Sequence, residues 1–265
     1  MKKTSKDNQM SKKNIFYSVI VILTFLLAFY GRRILSHFFP LTIETEYLRI
    51  IYPYLWWLLP TTLVTGLLFG LKRIFTVLGL EKGFIKGFLF AFITVLPMLI
   101  SSAVIGKIDT DLKLSRLFHQ TLFAGFMEEY LFRGFLFGLL FRKAGWGFIP
   151  ASLIGALIFG IGHIYQGTTI LETAGVFFIT SLGAVWFAWL YIEWDNNLWV
   201  PIFLHILMNL SWALFNVSSN VLGGLYTNLF RMITIALTIV ITMKFQKKKG
   251  LRIAKHNLLV NADNR

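Results

Sequence analysis

The chain has 265 residues, of which 56% are hydrophobic, 17% aromatic and only 14% charged. A soluble domain of this length carries nearer a quarter charged residues, so the composition excludes an ordinary water-soluble globule. The net charge of +14 does not point to nucleic acid, because the basic residues flank long apolar blocks instead of forming a patch of their own.

There are no cysteines, which excludes disulfides, thiol catalysis and thiolate metal sites. The N-terminal stretch is basic, with Lys2, Lys3, Lys6, Lys12 and Lys13 ahead of the first apolar block at 14–31. That block follows a basic stretch as a signal peptide does, but it runs into Gly31-Arg32-Arg33 with no A-x-A-like cleavage site, so it reads as a retained span. A crossing helix needs about 20 apolar residues. Further blocks that meet or approach this length follow at 50–71, 87–106, 117–141, 147–165, 173–192, 198–215 and 223–243. The expected fold is therefore all-α, a polytopic membrane helical bundle of about eight transmembrane helices. No repeat, linker or low-complexity segment suggests a second domain. Residues 1–13 read as a basic cytoplasmic tail, 14–245 as the bundle, and 246–265 as a basic, flexible cytoplasmic extension.

An even number of spans puts both Lys-rich ends on one side, which the positive-inside rule makes the cytoplasm of a multi-pass cell-membrane protein. Lys72, Arg73, Lys82, Lys86, Arg142 and Lys143 then fall inside as well, while Arg32 and Arg33 fall outside and break the pattern. Trp56, Trp57, Trp146, Trp194 and Trp199 lie near span ends, where aromatic belts form. The bilayer itself, with its anionic lipids, is the expected partner of the basic ends.

The informative residues are the polar ones inside the spans. An ionisable group near the bilayer centre costs about 2.5–3.5 kcal/mol on insertion scales, so it faces the bundle interior and finds a partner. The fourth span carries Glu128, Glu129 and Arg133. Glu129 and Arg133 stand four apart with the acid first, the better orientation for a helical ion pair. Glu128 is turned about 100° from its neighbour, which leaves it free for other work. The fifth span ends in Phe159-Gly-Ile-Gly-His163, whose glycines allow a neighbouring helix to approach closely. The seventh carries His205 and Asn209, one turn apart on one face. Taken singly, each group reads more readily as interhelical packing or a buried structural network than as a site. Arg231 in the eighth span reads as a structural residue snorkelling to the interface, and His37, His119 and His256 carry no comparable signal. Together, a carboxylate pair, a histidine and a histidine–amide pair on three spans supply a general base, a water-orienting imidazole and two oxyanion donors.

These segments resemble the three signature motifs of the CPBP family, the CAAX-processing and bacteriocin-processing membrane proteases also called the Abi family. The family pattern E-E-x-x-x-R, F-x-x-x-H and H-x-x-x-N stands here as Glu128-Glu129-x-x-x-Arg133, Phe159-x-x-x-His163 and His205-x-x-x-Asn209. The resemblance covers roughly residues 115–215. The resemblance implies an eight-helix bundle with an intramembrane polar cavity, and an intramembrane endopeptidase acting on a membrane-associated peptide or protein substrate. Carried over by position, Glu128 would activate water with His163 helping to hold it, His205 and Asn209 would line the oxyanion hole, and Glu129, Arg133 and Phe159 would support the site. No metal cofactor is favoured. Zinc held by Glu128, His163 and His205 is the alternative, although the H-E-x-x-H pairing typical of helical zinc proteases is missing. Two other functions compete: a non-catalytic membrane scaffold or regulator of the same fold, and a small proton-coupled transporter. The transporter would require repeat symmetry that the chain does not show.

Overall fold

A computed structural model describes residues 11–40, 42–110, 112–218 and 220–261. Lys2, Lys3 and Lys6, and with them most of the expected N-terminal tail, lie outside these residues. Nine helices form among the described residues: α1 (Lys12–Phe38), α2 (Glu46–Phe69), a short α3 (Ile74–Leu78), α4 (Phe84–Ile105), α5 (a continuous rod over 114–142), α6 (Phe148–His163), α7 (Ile170–Glu193), α8 (Trp199–Ala213) and α9 (Leu225–Gln246). Apart from α3, they fall on the eight apolar blocks of the sequence.

Six of them are long and apolar enough to cross a membrane: α1, α2, α4, α6 with its following 3₁₀ turn, α7 and α9. The remaining two are unusual for reasons that bear on the site. Helix α8 is apolar but only 15 residues long, about 22 Å at 1.5 Å per residue. Helix α5 switches twice from α to π geometry, over His119–Phe123 and again over Tyr130–Phe137. Such π segments insert extra residues per turn and occur often at functional sites.

Helix α5 is the axis of the bundle. Its second half is sealed in apolar contacts, with Leu131, Phe135, Leu136, Leu139 and Leu140 fully buried against α1, α3, α6 and α7. A second core of Phe90, Val95, Met98, Leu190, Val200 and Leu204 joins α4, α7 and α8. Outward-facing Leu59, Leu63, Leu67, Ile100 and Val104 remain exposed on the outside of the bundle, as lipid-facing residues must. Helix α9 is fastened by polar contacts instead: Trp186 Nε1 donates to Thr238 at 3.2 Å and Trp194 Nε1 to Thr242 at 2.9 Å. In lipid, where apolar surface gives no preference for a protein neighbour, such bonds hold helices together. Trp194, expected in an aromatic belt, thus works inside the bundle. So do Trp199, which donates to the Leu80 carbonyl, and Trp146, which donates to Ser18.

One end of the bundle is closed by a hydrogen-bonded floor. Leu198 N donates to Gly79 O, Asn197 Nδ2 to Gly83 O, and Arg142 to Val77 O. Gly79 has φ 83°, and an added Cβ would meet the Tyr191 ring at 2.8 Å, so this close crossing requires glycine. The C-terminal segment completes the floor. Gly147 N and Ile149 N donate to the Leu259 and Leu258 carbonyls, and Asn261 Nδ2 donates to Phe141 O. The buried Glu193 carboxylate accepts the backbone N–H groups of Arg252 and Ile253 at 3.1 and 3.0 Å. Residues 250–261 are therefore docked, not the free extension that their charge suggested. Only hydrogen bonds formed in the folded state distinguish the two. The start of α1 meets the same floor through Ser18. Here too, burial first and then the charges of Arg142, Arg73 and Lys13 depress the pKa of Lys143.

Replacing Glu193 with alanine leaves two buried N–H groups without acceptors. The expected cost is about 2–4 kcal/mol, read as a lower unfolding temperature in detergent and as new protease cleavage between residues 247 and 261.

Candidate active site

The site begins where α5 and α8 nearly touch. Gly125 lies against Ile206, where an added Cβ would sit 2.6 Å from the Ile206 Cγ1 and 2.9 Å from its backbone nitrogen. This approach brings the carboxylates one turn below Gly125 within reach of His205. Glu129 is fully buried and its Oε1 is shared: Arg133 donates to it at 2.9 Å and His205 Nδ1 at 2.8 Å. Because a carboxylate only accepts, His205 carries its proton on Nδ1 and turns Nε2 the other way. Nε2 then faces Glu128 Oε2 at 3.8 Å. That gap is too long for a direct hydrogen bond.

The two adjacent glutamates thus have different surroundings. Glu129 is enclosed and paired through Oε1, although its Oε2 has no hydrogen-bond partner. Glu128 keeps 18% of its side chain exposed, yet its Oε2 is a buried oxygen with no hydrogen-bond partner. A buried carboxylate oxygen without a donor is costly and is a place where a reactant binds.

Arg133 is 3% exposed and lies in an aromatic slot, its guanidinium 4.9 Å from the Phe159 ring centre and 5.4 Å from that of Phe187. Cation–π contacts of this kind stabilise a desolvated cation by about 2 kcal/mol. Phe159 then stacks on His163 with ring centres 4.3 Å apart. His163 Nδ1 donates to the Phe159 carbonyl at 2.7 Å, which leaves Nε2 free. His163 is the last residue of α6. Of its two nearby glycines, Gly160 packs tightly against Phe177 of α7, while Gly162 meets only the Phe29 ring edge at an ordinary 3.7 Å.

The expected residues are therefore linked through one hub. Glu129 joins the first motif to His205, and Arg133 with Phe159 joins it to His163. No hydrogen bond or ion pair connects His163 directly to Glu128 among the described residues. Asn209 also has a defined task, since its Nδ2 donates to the Gln120 carbonyl at 2.9 Å in the first π segment of α5. One amide hydrogen is used there and a second remains. Near the same end, Arg231 does not snorkel: it is 5% exposed, stacks on Trp212 at 4.3 Å and donates to the Val221 carbonyl.

Three participants were not legible in the motifs. Tyr54 of α2 stands 3.2 Å from His119 Nε2, and both lie within electrostatic reach of Glu128. His119, which reads in the sequence as a span-edge residue, opens the first π segment and meets Tyr54 beside the site. Phe187 closes the slot around Arg133. A zinc centre would need Glu128, His163 and His205 to converge. Among the described residues no three His, Cys, Asp or Glu side chains are grouped closely enough to hold an ion.

Comparison with known proteins bears on the same segment. Residues 110–211 match the family model of the Rce1-like type II CAAX prenyl endopeptidases. The three motifs all fall within this segment, as their spacing indicated. The chain is also 40% identical over 83 residues to "Putative membrane peptidase YdiL" of Bacillus subtilis (strain 168). That similarity spans 31% of this chain and 30% of the relative. No solved structure gives a significant match.

The different settings of the two glutamates predict opposite effects on stability. Removing Glu129 with alanine strands the Arg133 charge in the core and is expected to cost about 3–5 kcal/mol. Glu128→Ala removes an oxygen with no donor and is expected to change stability by less than about 1 kcal/mol. Thermal unfolding of the two variants in the same detergent measures the contrast.

Proposed function

We propose that the protein is an intramembrane endopeptidase in which Glu128 activates water for attack on a peptide bond of a membrane-associated substrate, without a metal ion. The unpartnered Glu128 oxygen facing His205 is the observation that carries this reading. A water molecule bound there would give its proton to the Glu128 carboxylate as its oxygen adds to the peptide carbonyl carbon. The C–N bond of the resulting tetrahedral intermediate then breaks, and Glu128 returns the proton to the leaving amine. His163, with its free Nε2, is the residue to orient the water or the substrate. On the opposing helix, the second amide hydrogen of Asn209 is the donor to the oxyanion, and His205 joins it when a second proton occupies Nε2.

Glu129, Arg133 and Phe159 act through these groups by fixing where they point. Their burial supports a positioning task, since a sealed carboxylate engaged by Arg133 and His205 has no open path to a substrate. The match to peptidases over residues 110–211 supports the reaction class. The concentration of polar groups on α5, α6 and α8 also favours one reaction centre over a transport path through two repeats. With both basic ends on one face of the bundle, the positive-inside rule puts both termini in the cytoplasm of a multi-pass membrane protein.

The test is cleavage of a membrane-peptide library by purified protein in detergent. Glu128→Gln is expected to lower turnover by about 10²–10⁴, the worth of a positioned base. Asn209→Ala is expected to lower it by about 10²–10³, the worth of one oxyanion donor. A chelator should leave the wild-type rate unchanged. Loss of activity with chelator and recovery with zinc would overturn the metal-free mechanism, and full activity in Glu128→Gln would overturn the assignment of the base.

A further inference from the structure

The half of the bundle below Glu128 is solid. From Tyr130 to Phe141 no side chain of α5 is more than 5% exposed, and the interhelical floor closes that end. The half above is packed less closely around its polar groups: His119 and Gln120 of the same helix are partly exposed, and Glu128 keeps 18% of its side chain exposed. Two of the site helices also stop early in this direction. Helix α6 ends at His163 itself, and α8 ends four residues after Asn209. At 15 residues α8 spans only about 22 Å, short of the ~30 Å hydrocarbon core, and α6 reaches a crossing length only with its 3₁₀ turn Ile164–Gln166. Water that reaches Glu128 therefore arrives from the end of the bundle where α6 and α8 terminate.

The charges identify that end. Among the described residues the floor side carries fourteen Lys and Arg, including Lys72, Arg73, Lys86 and Lys143, against six on the open side. The positive-inside rule then makes the floor cytoplasmic. We infer that the catalytic cleft opens on the extracytoplasmic face, and that the substrate is a membrane-tethered peptide whose scissile bond lies at or beyond the outer half of the bilayer. The substrate part rests on the peptidase reading, whereas the orientation of the cleft does not depend on it. A segment exported across the membrane fits this opening. A cytoplasmic C-terminal tail does not, because it would have to pass through the packed floor.

The absence of cysteine makes the chain its own background for single-cysteine labelling. Cysteines placed at the exposed Tyr165 and Lys248 report the two faces, while Gln120→Cys, with His119→Cys as a second reporter, reports the cleft. In intact cells a membrane-impermeant maleimide is expected to label Tyr165→Cys and both cleft reporters at least tenfold faster than Lys248→Cys, which should react only after permeabilisation. Labelling of Lys248→Cys in intact cells with Tyr165→Cys protected would overturn the orientation. Labelling of Tyr165→Cys with both cleft reporters inert before and after permeabilisation would overturn the opening. Neither readout requires catalysis. If labelling is as expected but no tethered peptide with an extracytoplasmic scissile bond is cleaved, the peptidase reading fails and the cleft orientation stands.

Discussion

The structure of the site depends on one buried ion pair. Glu129 and Arg133 are four residues apart on α5, both sealed from solvent. Two ions in a low-dielectric interior are tolerated only when each is paired and its remaining donors and acceptors are engaged. Here the other two motifs engage Glu129 Oε1 and the Arg133 guanidinium, while Glu129 Oε2 is left without a partner. His205 donates to the shared carboxylate oxygen, and the arginine lies between Phe159 and Phe187. The desolvation cost of the pair thus fixes the relative positions of α5, α6, α7 and α8. Glu128, one residue away, receives none of these partners and remains chemically available.

Backbone geometry makes that division feasible. In an uninterrupted α-helix, His119, Glu128 and Arg133 would keep a fixed angular spacing. The two π segments rotate the ends of α5 relative to each other, so His119 and Gln120 reach Tyr54 and Asn209 while Arg133 stays in its aromatic slot. Gly125 between them lets α8 approach within van der Waals contact of the α5 backbone. The site is built on rigid elements and linked to its supports, which is what a reaction sensitive to sub-ångström placement requires.

Much of this was legible in the sequence, because lipid imposes simple rules on a chain. The eight apolar blocks fall on eight observed helices, since length and apolarity alone decide a crossing. The i,i+4 spacing of Glu129 and Arg133 forecast their ion pair, and the different directions of Glu128 and Glu129 follow from helical geometry. The residues that escaped notice depend on tertiary position. Tyr54 and His119 meet across 65 positions of sequence, and nothing local marks either as a site residue. Phe187 is one of 27 phenylalanines, and only the fold sets it beside the guanidinium. The C-terminal segment, polar and basic, reads as solvated tail until Glu193 and the α5–α6 loop are seen to accept and donate its backbone hydrogen bonds.

The claim that the Glu129–Arg133 pair organises the site is tested most directly by a double-mutant cycle on stability. Glu129→Gln, Arg133→Gln and the double variant would be unfolded thermally in one detergent. The account predicts that each single variant loses about 3–5 kcal/mol, and that the double variant loses less than the sum by at least about 2 kcal/mol, because no uncompensated charge remains. Additive losses, with no coupling between the two positions, would contradict it.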